Sequence, residues 1–134
     1  MRKILVRAAC GDTIVAAGLS YAPIVYYASA AGLPGCVRVT AFPEDVRAHP
    51  GWLDLSPQAA TALPAQAAAA VARLPPGGSV WVFAQSQDVG EAQTDVLVRE
   101  LSRHRRPEET LPLPGSFFRE IVVFGPAAQP KTRP

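Results

Sequence analysis

One stretch, residues 11–32, constrains the fold of this chain most strongly, because it carries the marks of a strand, a turn and a helix in succession. Its residues 13–17 form a short apolar run with β-branched side chains, which predicts a buried strand. Gly18 and Ser20 supply a turn and a helix N-cap. The following run, 36–42, alternates and is rich in β-branched residues, which predicts a second strand parallel to the first.

The rest of the chain continues the alternation of strands and helices. In order, the sequence predicts a loop with one helical turn over 43–57, a helix over 63–74 with Pro64 in its first turn, a buried strand over 79–84, a helix over 88–103, and strands over 109–113 and 119–124. The last two strands are joined by a link too short for a crossover helix, so they should pair antiparallel. Pro112 places the first of them at an edge of the sheet.

These elements predict an α/β fold: a three-layer Rossmann-like sandwich with a mainly parallel sheet of about five strands and a C-terminal antiparallel pair. At 134 residues the chain has the length of one ordinary domain, predicted over 1–125. The Pro-rich polar end, 126–134, predicts a disordered tail. The uncharged span 13–37 is long enough for a membrane helix, but its glycines and prolines would break such a helix, so no membrane span is predicted.

The charge balance argues against a nucleic-acid partner. The formal net charge is +2, with 13 Lys and Arg residues against 11 Asp and Glu residues, which gives no strong positive field. Arg103, His104, Arg105 and Arg106 form a basic run at the end of a predicted helix. Cations at this place are expected to lie in solvent and to complement the helix dipole.

The two cysteines, Cys10 and Cys36, each lie at the beginning of a predicted parallel strand. The first two strands of such a sheet are neighbours about 4.8 Å apart, and disulfide-bridged Cα atoms lie roughly 4.4 to 6.8 Å apart. A disulfide is therefore compatible with the fold. Two buried free thiols are an equal alternative.

Ligands of open α/β sheets bind beyond the carboxyl ends of the strands, which places a candidate site at the turns after the first three strands. The candidate ligand-binding residues in and near these turns are Ser20, Tyr21, His49, Gln85 and Asp88. Ser20 is more simply explained as a helix N-cap, and His49 as a surface residue before a Pro-Gly turn.

The sequence lacks the motifs of nucleotide-binding loops, catalytic triads and metal sites. Gly18 and Ser20 do not form the glycine pattern of a dinucleotide loop or the Gly-Lys end of a Walker loop. No nucleophile is paired with a base in the pattern of a triad, and His, Cys, Asp and Glu show no metal-ligand spacing. We therefore expect no catalytic residue, no metal site, no cofactor and no activity in the isolated chain.

Four short motifs along the chain, taken together, resemble those of a known protein family. They are Gly11-Asp-Thr-Ile-Val15, Pro23-Ile-Val-Tyr-Tyr27, Ser79-Val-Trp-Val-Phe83 and Leu113-Pro-Gly-Ser-Phe-Phe118. In order and spacing they resemble the soluble C-terminal region of membrane-embedded, polyprenyl-phosphate-dependent glycosyltransferases, the superfamily of protein mannosyltransferases and aminoarabinose transferases. The resemblance covers residues 11–125.

The resemblance implies a non-catalytic accessory or interaction domain, because the catalytic acids and lipid-phosphate contacts of that superfamily belong to a membrane part that is not found in this sequence. It implies the membrane part of a glycosyltransferase, or another protein, as partner, and a contact surface that includes Phe117 and Phe118. Burial of at least one of these two phenylalanines in the core is the simpler explanation of the pair. The resemblance also implies a location on the extracytoplasmic face of the membrane, whereas without the resemblance the expected location is the cytoplasm.

A second hypothesis, of a different class, follows from the turns alone. The chain would be a stand-alone small nucleotide- or sugar-phosphate-binding α/β protein. The helix N-terminus at Ser20 would attract the phosphate, the turn at 85–88 would line the site, and His49 or Arg47 would close over the ligand.

Overall fold

The structure is a computed structural model that describes residues 7–19, 21–48, 53–85, 88–113 and 118–128. Within these ranges the strands are β1 (Thr13–Ala17), β2 (Arg38–Phe42), β3 (Val80–Gln85), β4 (Arg105–Pro112) and β5 (Phe118–Ala127). The helices there are α1 (Tyr21–Ala30), α2 (Asp45–Ala48), α3 (Pro57–Ala72) and α4 (Asp88–His104). Every predicted strand and helix exists, although several boundaries differ.

The five strands form one sheet in the order β2-β1-β3-β5-β4. β1 pairs in parallel with both β2 and β3, whereas β5 pairs antiparallel with both β3 and β4. The α/β class, the five strands and the C-terminal antiparallel pair are confirmed, but the prediction of a mainly parallel sheet is wrong because the sheet is mixed. The apolar residues 121–124 are buried, so β5 takes an inner position and forms two antiparallel ladders.

Helices cover both faces of the sheet, because the inner strands are apolar on both sides. On one face Ile14 and Ala16 of β1 pack with Ile24 of α1. On the other face the alternate residues of β1 pack against α3 and α4. That core includes Val15, Ala17, Leu63, Ala67, Val71, Leu97 and Leu101. Since β2 and β3 lie on opposite sides of β1, the two crossover connections run over opposite faces.

Helix α3 begins at Pro57 rather than at residue 63, where the sequence predicted its start. Ser56 is the N-cap, because its hydroxyl accepts a hydrogen bond of 3.1 Å from the amide of Ala59. Pro57 fits the first helical position, where no N–H is needed. Pro64 lies inside the helix instead of in its first turn, so it cannot donate to the carbonyl of Ala60. The Ser56-Pro57 pair, which lies at the end of the predicted loop 43–57, is therefore the start of a helix.

A buried carboxylate ties the amino ends of β1 and β3 together. Asp12 is 8% exposed. Its Oδ2 atom accepts hydrogen bonds of 3.0 Å from the Ala9 amide and from the Trp81 Nε1–H. Its Oδ1 atom accepts a third bond of 3.0 Å from the Ser79 amide. We call Ala9, Asp12, Ser79 and Trp81 the Asp12 junction.

Close backbone packing surrounds this junction. Gly78 precedes Ser79, and a Cβ atom on Gly78 would overlap the carbonyl oxygen of Gly11 and lie 2.6 Å from its carbonyl carbon. Only a hydrogen atom fits at this place.

A cation joins the junction to the edge strand β4. The Arg7 guanidinium lies 5.6 Å from the centroid of the Trp81 ring and forms an ion pair of 2.7 Å with Glu109. The amino end of β1 is therefore linked to β3 by hydrogen bonds and to β4 by an ion pair.

Arg105 departs from the prediction that the basic run lies in solvent. It begins β4 and is 5% exposed. Its guanidinium donates hydrogen bonds to the carbonyl oxygens of Pro75 at 2.6 Å, Gly78 at 2.7 Å and Gly125 at 3.3 Å. Burial lowers the pKa of the Arg105 guanidinium from its ordinary value. The residue connects β4 with β5 and with the loop before β3.

Cys10 and Cys36 form a disulfide, with their Cα atoms 4.9 Å apart. The bridge joins the entrances of β1 and β2, which are parallel neighbours as predicted. Of the two alternatives for the cysteines, the structure contains the disulfide. The bridge closes a ring around β1 and α1 with a sequence separation of 26 residues.

Thiol titration of the denatured protein is expected to find no free thiol before reduction and two afterwards, because both cysteines of the chain are bridged. A Cys10→Ser variant, with one unpaired thiol, calibrates the measurement. Two free thiols in unreduced protein isolated from an oxidising compartment would contradict the disulfide.

The C-terminal strand extends beyond the predicted domain boundary at residue 125, since β5 continues to Ala127. Residues 129–134 of the predicted tail lie outside the described residues. Among the helices that the structure describes, none combines the length and the apolar character needed to cross a membrane. The uncharged span 13–37 contains β1 and α1.

Candidate functional site

An open cleft of about 670 Å³ runs along β2, which is an edge strand of the sheet. The cleft lies on the face that α3 covers. Phe42 of β2 belongs to the core beneath α3, and residues two apart on a strand share a face, so Arg38 and Thr40 lie on this face too. The volume falls within the range of about 300–1,000 Å³ that is usual for small-molecule pockets.

One side of α3 forms a wall of the cleft. Gln66, Ala69 and Ala70 of α3 and its C-cap residue Arg73 have the spacing i, i+3, i+4 and i+7, which places them along one stripe. The two alanines are small, so α3 packs on the sheet without filling the space above β2. A neighbouring stripe of the same helix is buried in the core.

Three arginines, Arg38, Arg47 and Arg73, are among the residues that line the cleft. Glu44 lies 3.9 Å from Arg47 and 3.4 Å from Arg73. The side chains of Glu44, Arg47 and Arg73 are each more than half exposed, so both ion pairs are weak. Arg38 forms no ion pair with any residue that the structure describes. The cleft lining thus contains three arginines and two carboxylates, those of Glu44 and Asp45, so cations outnumber anions there.

A smaller recess of about 120 Å³ adjoins the cleft near the carboxyl end of β2. The two cavities share Pro43, Asp45 and Gln66 in their walls. Gln93 of α4 also lines the recess, is 5% exposed, and has a buried Oε1 atom with no hydrogen-bond partner within the described part of the chain. Leaving such an acceptor unsatisfied costs about 1–3 kcal/mol. The unsatisfied Gln93 Oε1 atom therefore lowers the stability of the folded state.

Asp54 adds a carboxylate to the same recess. The amide of Ser56 donates a hydrogen bond of 2.9 Å to Asp54 Oδ1, and this bond lowers the pKa of the Asp54 carboxyl below its ordinary value. Asp54 is therefore ionised at neutral pH, and with Asp45 and Gln93 it makes the recess rich in hydrogen-bond acceptors. Among the described residues, no group of three or more His, Cys, Asp or Glu side chains is arranged to hold a metal ion.

The five predicted ligand-binding residues are only partly described. Ser20 and His49 lie outside the described residues. Gln85 ends β3 and Asp88 begins α4, but their side chains are also outside the description. Tyr21 begins α1 and packs against the core on the face opposite the cleft. Their part in ligand binding stays a prediction, although the carboxyl ends of β1, β2 and β3 do lie at one edge of the sheet.

Several cleft residues were missed by sequence reasoning, although the sequence carries signals for them. Arg38 stands four residues before Phe42 in an alternating strand, so it shares the face of a core residue. The spacing from Gln66 to Arg73 marks a stripe of polar residues and alanines beside the apolar stripe of the same helix. Arg47 is a cleft residue that the binding hypothesis did name.

The fold and the cleft define a mixed five-stranded α/β protein with a ligand-sized cavity along one sheet edge. No family model and no curated protein matches the chain. Among solved structures it is similar to a release factor-specific protein-(glutamine-N5) methyltransferase from Alicyclobacillus acidocaldarius subsp. acidocaldarius DSM 446, with 16% sequence identity and a TM-score of 0.39. The match covers 92% of this chain and 86% of that chain. Similarity at this level assigns no activity to the chain.

The expected relation to polyprenyl-phosphate-dependent glycosyltransferases was wrong, and so was the accessory-domain function that it implied. No family model matches the chain, and the solved structure named above, to which it is similar, is a methyltransferase and not a glycosyltransferase domain. The motifs that carried the resemblance have structural explanations: Asp12 and Trp81, from two of them, are hydrogen-bonded to each other in the Asp12 junction. The side chains of Phe117 and Phe118, the expected contact surface, lie outside the described residues.

Proposed function

We propose that the protein binds a small phosphorylated molecule, a nucleotide or a sugar phosphate, in the cleft along β2. The observation that carries the proposal is that Arg38, Arg47 and Arg73 all line one ligand-sized space. Guanidinium groups bind phosphate oxygens through paired, charge-assisted hydrogen bonds. The lining also contains apolar residues, among them Val39 and Leu74, which would contact the rest of the ligand.

The weakness of the existing ion pairs supports this proposal. Glu44 holds Arg47 and Arg73 only through exposed contacts, so a phosphate dianion can replace it as their partner at little cost. Arg38 is available without any such exchange among the described residues.

The position of the cleft also supports the proposal. The sequence predicted a three-layer Rossmann-like sandwich. Proteins with this arrangement bind ligands beyond the carboxyl ends of their strands. The cleft reaches Pro43, directly after the carboxyl end of β2. Ser20, His49, Gln85 and Asp88 remain proposed contacts at the adjoining turns.

Replacing Arg38 by glutamine is expected to weaken binding of the phosphorylated ligand about tenfold, because a hydrogen bond to a charged group contributes about 1.5–3 kcal/mol and about 1.4 kcal/mol is tenfold. A thermal-shift panel of nucleotides and sugar phosphates first selects the ligand, since a ligand at about 100 times its Kd adds about 2.7 kcal/mol of stability. Isothermal titration then compares the wild type with Arg38→Gln.

Arg106→Gln is the matched control for this experiment. Arg106 is exposed on β4, at the opposite edge of the sheet, so its replacement changes net charge equally without altering the cleft. If Arg38→Gln and Arg106→Gln lose affinity equally, binding depends on net charge alone and not on the cleft. The absence of a thermal shift with every phosphorylated ligand would refute the proposal.

A further inference from the structure

The outer surface of α1 exposes large apolar side chains that lie together. Three of the four large apolar residues that the structure describes as exposed belong to this helix: Val25 at 40%, Tyr26 at 71% and Tyr27 at 42%. The rings of Tyr26 and Tyr27 lie edge to face with their centroids 5.6 Å apart, so the two side chains form one continuous surface. Contiguous exposed apolar surfaces mark interaction sites, whereas single exposed apolar residues do not.

The shape of this surface allows it to pack against itself. Ala22, Tyr26 and Ala30 are exposed and lie four residues apart, so they form a ridge along α1 with one large side chain between two small ones. In an antiparallel pair of α1 helices, each Tyr26 packs over an alanine of the other copy, and the two tyrosines lie side by side at the two-fold axis. We call Ala22, Val25, Tyr26, Tyr27 and Ala30 the α1 patch.

The lack of charge in this part of the chain favours a second copy as the partner. Residues 13–37, which include α1, contain no Asp, Glu, Lys, Arg or His. Complementary charges give specificity for a foreign protein, and the α1 patch has none. Across a two-fold axis each residue meets residues of its own kind, so like charges would repel there, whereas uncharged side chains do not.

The fold holds the α1 patch in place and keeps it away from the cleft. Ile24 and Ala28 of α1 are buried, and the disulfide between Cys10 and Cys36 closes the segment that contains β1 and α1. Association therefore orders little of the chain, which lowers its entropic cost. Tyr21 of α1 packs on the face of the sheet opposite the cleft, so pairing through α1 leaves the cleft open.

We propose that the α1 patch is a dimer interface that joins two copies of this chain through antiparallel α1 helices. The interface is small, because the exposed fractions of Tyr26 and Tyr27 correspond to roughly 200 Å² per copy at about 150–250 Å² for a whole aromatic side chain. Interfaces that bury less than about 1,200 Å² in total are weak. The dimer is therefore reversible, with a Kd between about 1 μM and 1 mM.

Sedimentation equilibrium of the disulfide-bonded chain at about 1 μM to 1 mM measures this association. Tyr26→Asp is expected to raise the Kd of the dimer at least about 30-fold, because an aromatic residue at the centre of an interface contributes most to binding. Leu55→Asp is the matched control, since Leu55 is 66% exposed and lies outside α1, and it should leave the Kd unchanged. Thermal unfolding verifies that both variants fold.

A mixing experiment tests the two-fold arrangement. Tyr26→Asp and Tyr26→Lys each place like charges side by side at the axis, so each variant alone should associate weakly. An equimolar mixture of the two variants should associate more tightly than either variant alone, because opposite charges then meet. If the mixture associates no more tightly than the separate variants, the antiparallel pairing of α1 is overturned.

The remaining outcomes also decide the proposal. A wild type that stays monomeric at about 1 mM, or an equal loss of association in Tyr26→Asp and Leu55→Asp, would overturn it. Binding of a monomeric wild type to phosphatidylcholine vesicles that Tyr26→Asp abolishes would also overturn it and would identify a lipid surface as the partner. Binding of phosphorylated ligands should be equal in the wild type and Tyr26→Asp, so the dimer and the cleft are tested separately.

Discussion

Replacing Asp12 by alanine is expected to lower the free energy of unfolding by about 4 kcal/mol, because three N–H donors lose their acceptor in a buried site. These donors belong to the amides of Ala9 and Ser79 and to the indole of Trp81. Urea denaturation of the wild type and the variant measures the change. Asp12→Asn should fall between the two, since the amide keeps one acceptor oxygen.

A double-mutant cycle isolates the bond between Asp12 and Trp81. Trp81→Phe removes the Nε1–H donor, so Asp12→Ala should cost about 1 kcal/mol less in that background than in the wild type. If Asp12→Ala lowers the free energy of unfolding equally in the wild type and in Trp81→Phe, the bond between Asp12 and Trp81 does not contribute to stability. A loss below about 1 kcal/mol for Asp12→Ala itself would contradict the role of the junction as a whole.

Gly78→Ala is the second substitution with a large expected effect, about 3 kcal/mol of destabilisation. The added Cβ would overlap the carbonyl oxygen of Gly11, and backbone atoms cannot rotate away as a side chain can. The amino end of β3 would have to move from β1, and the hydrogen bond of 3.0 Å from the Thr13 amide to the Ser79 carbonyl would be strained. Thermal and urea unfolding of the variant measure the loss.

The neighbouring glycine provides the control. A Cβ atom on Gly77 would meet no atom within 4 Å, so Gly77→Ala should leave the free energy of unfolding within about 0.5 kcal/mol of the wild type. Similar losses in the two variants would indicate that the loop needs glycine for its flexibility. In that case the contact between Gly78 and Gly11 would not explain the effect.

Much of the fold follows from local patterns in the sequence. Apolar runs and their flanking Gly and Pro residues located all five strands, and the short link before β5 predicted its antiparallel pairing with β4. Local patterns could not show that β5 inserts between β3 and β4, because strand order depends on contacts between distant parts of the chain. The sheet is mixed for that reason.

The amino end of β4 shows the same limit. Arg105 extends a basic run that ends a helix, and by charge alone it belongs in solvent. In the structure the carbonyls of Pro75, Gly78 and Gly125 converge on its guanidinium, so burial is compatible with its charge. These three acceptors lie 20 or more residues away from Arg105 in the sequence, so no local pattern predicts the contacts.

The candidate site was less predictable than the fold. Sequence reasoning placed ligands at the turns after the strands, whereas the described cavity runs along the edge of β2 beneath α3. Its wall includes Ala69 and Ala70, which lie beside the buried stripe of α3, and the position of that stripe above β2 is a matter of helix orientation. The unpaired oxygen of Gln93 likewise becomes visible only when its neighbours in space are known.

The disulfide also determines how the fold would bear a mechanical load. A pulling force applied through the residues before Cys10 passes across the bridge into Cys36 and β2, so it bypasses β1 and α1. A separation of 26 residues corresponds to about 90 Å of extended chain at about 3.5 Å per residue. The oxidised protein keeps this length folded away from the load, and the first strand and helix are its mechanically protected part.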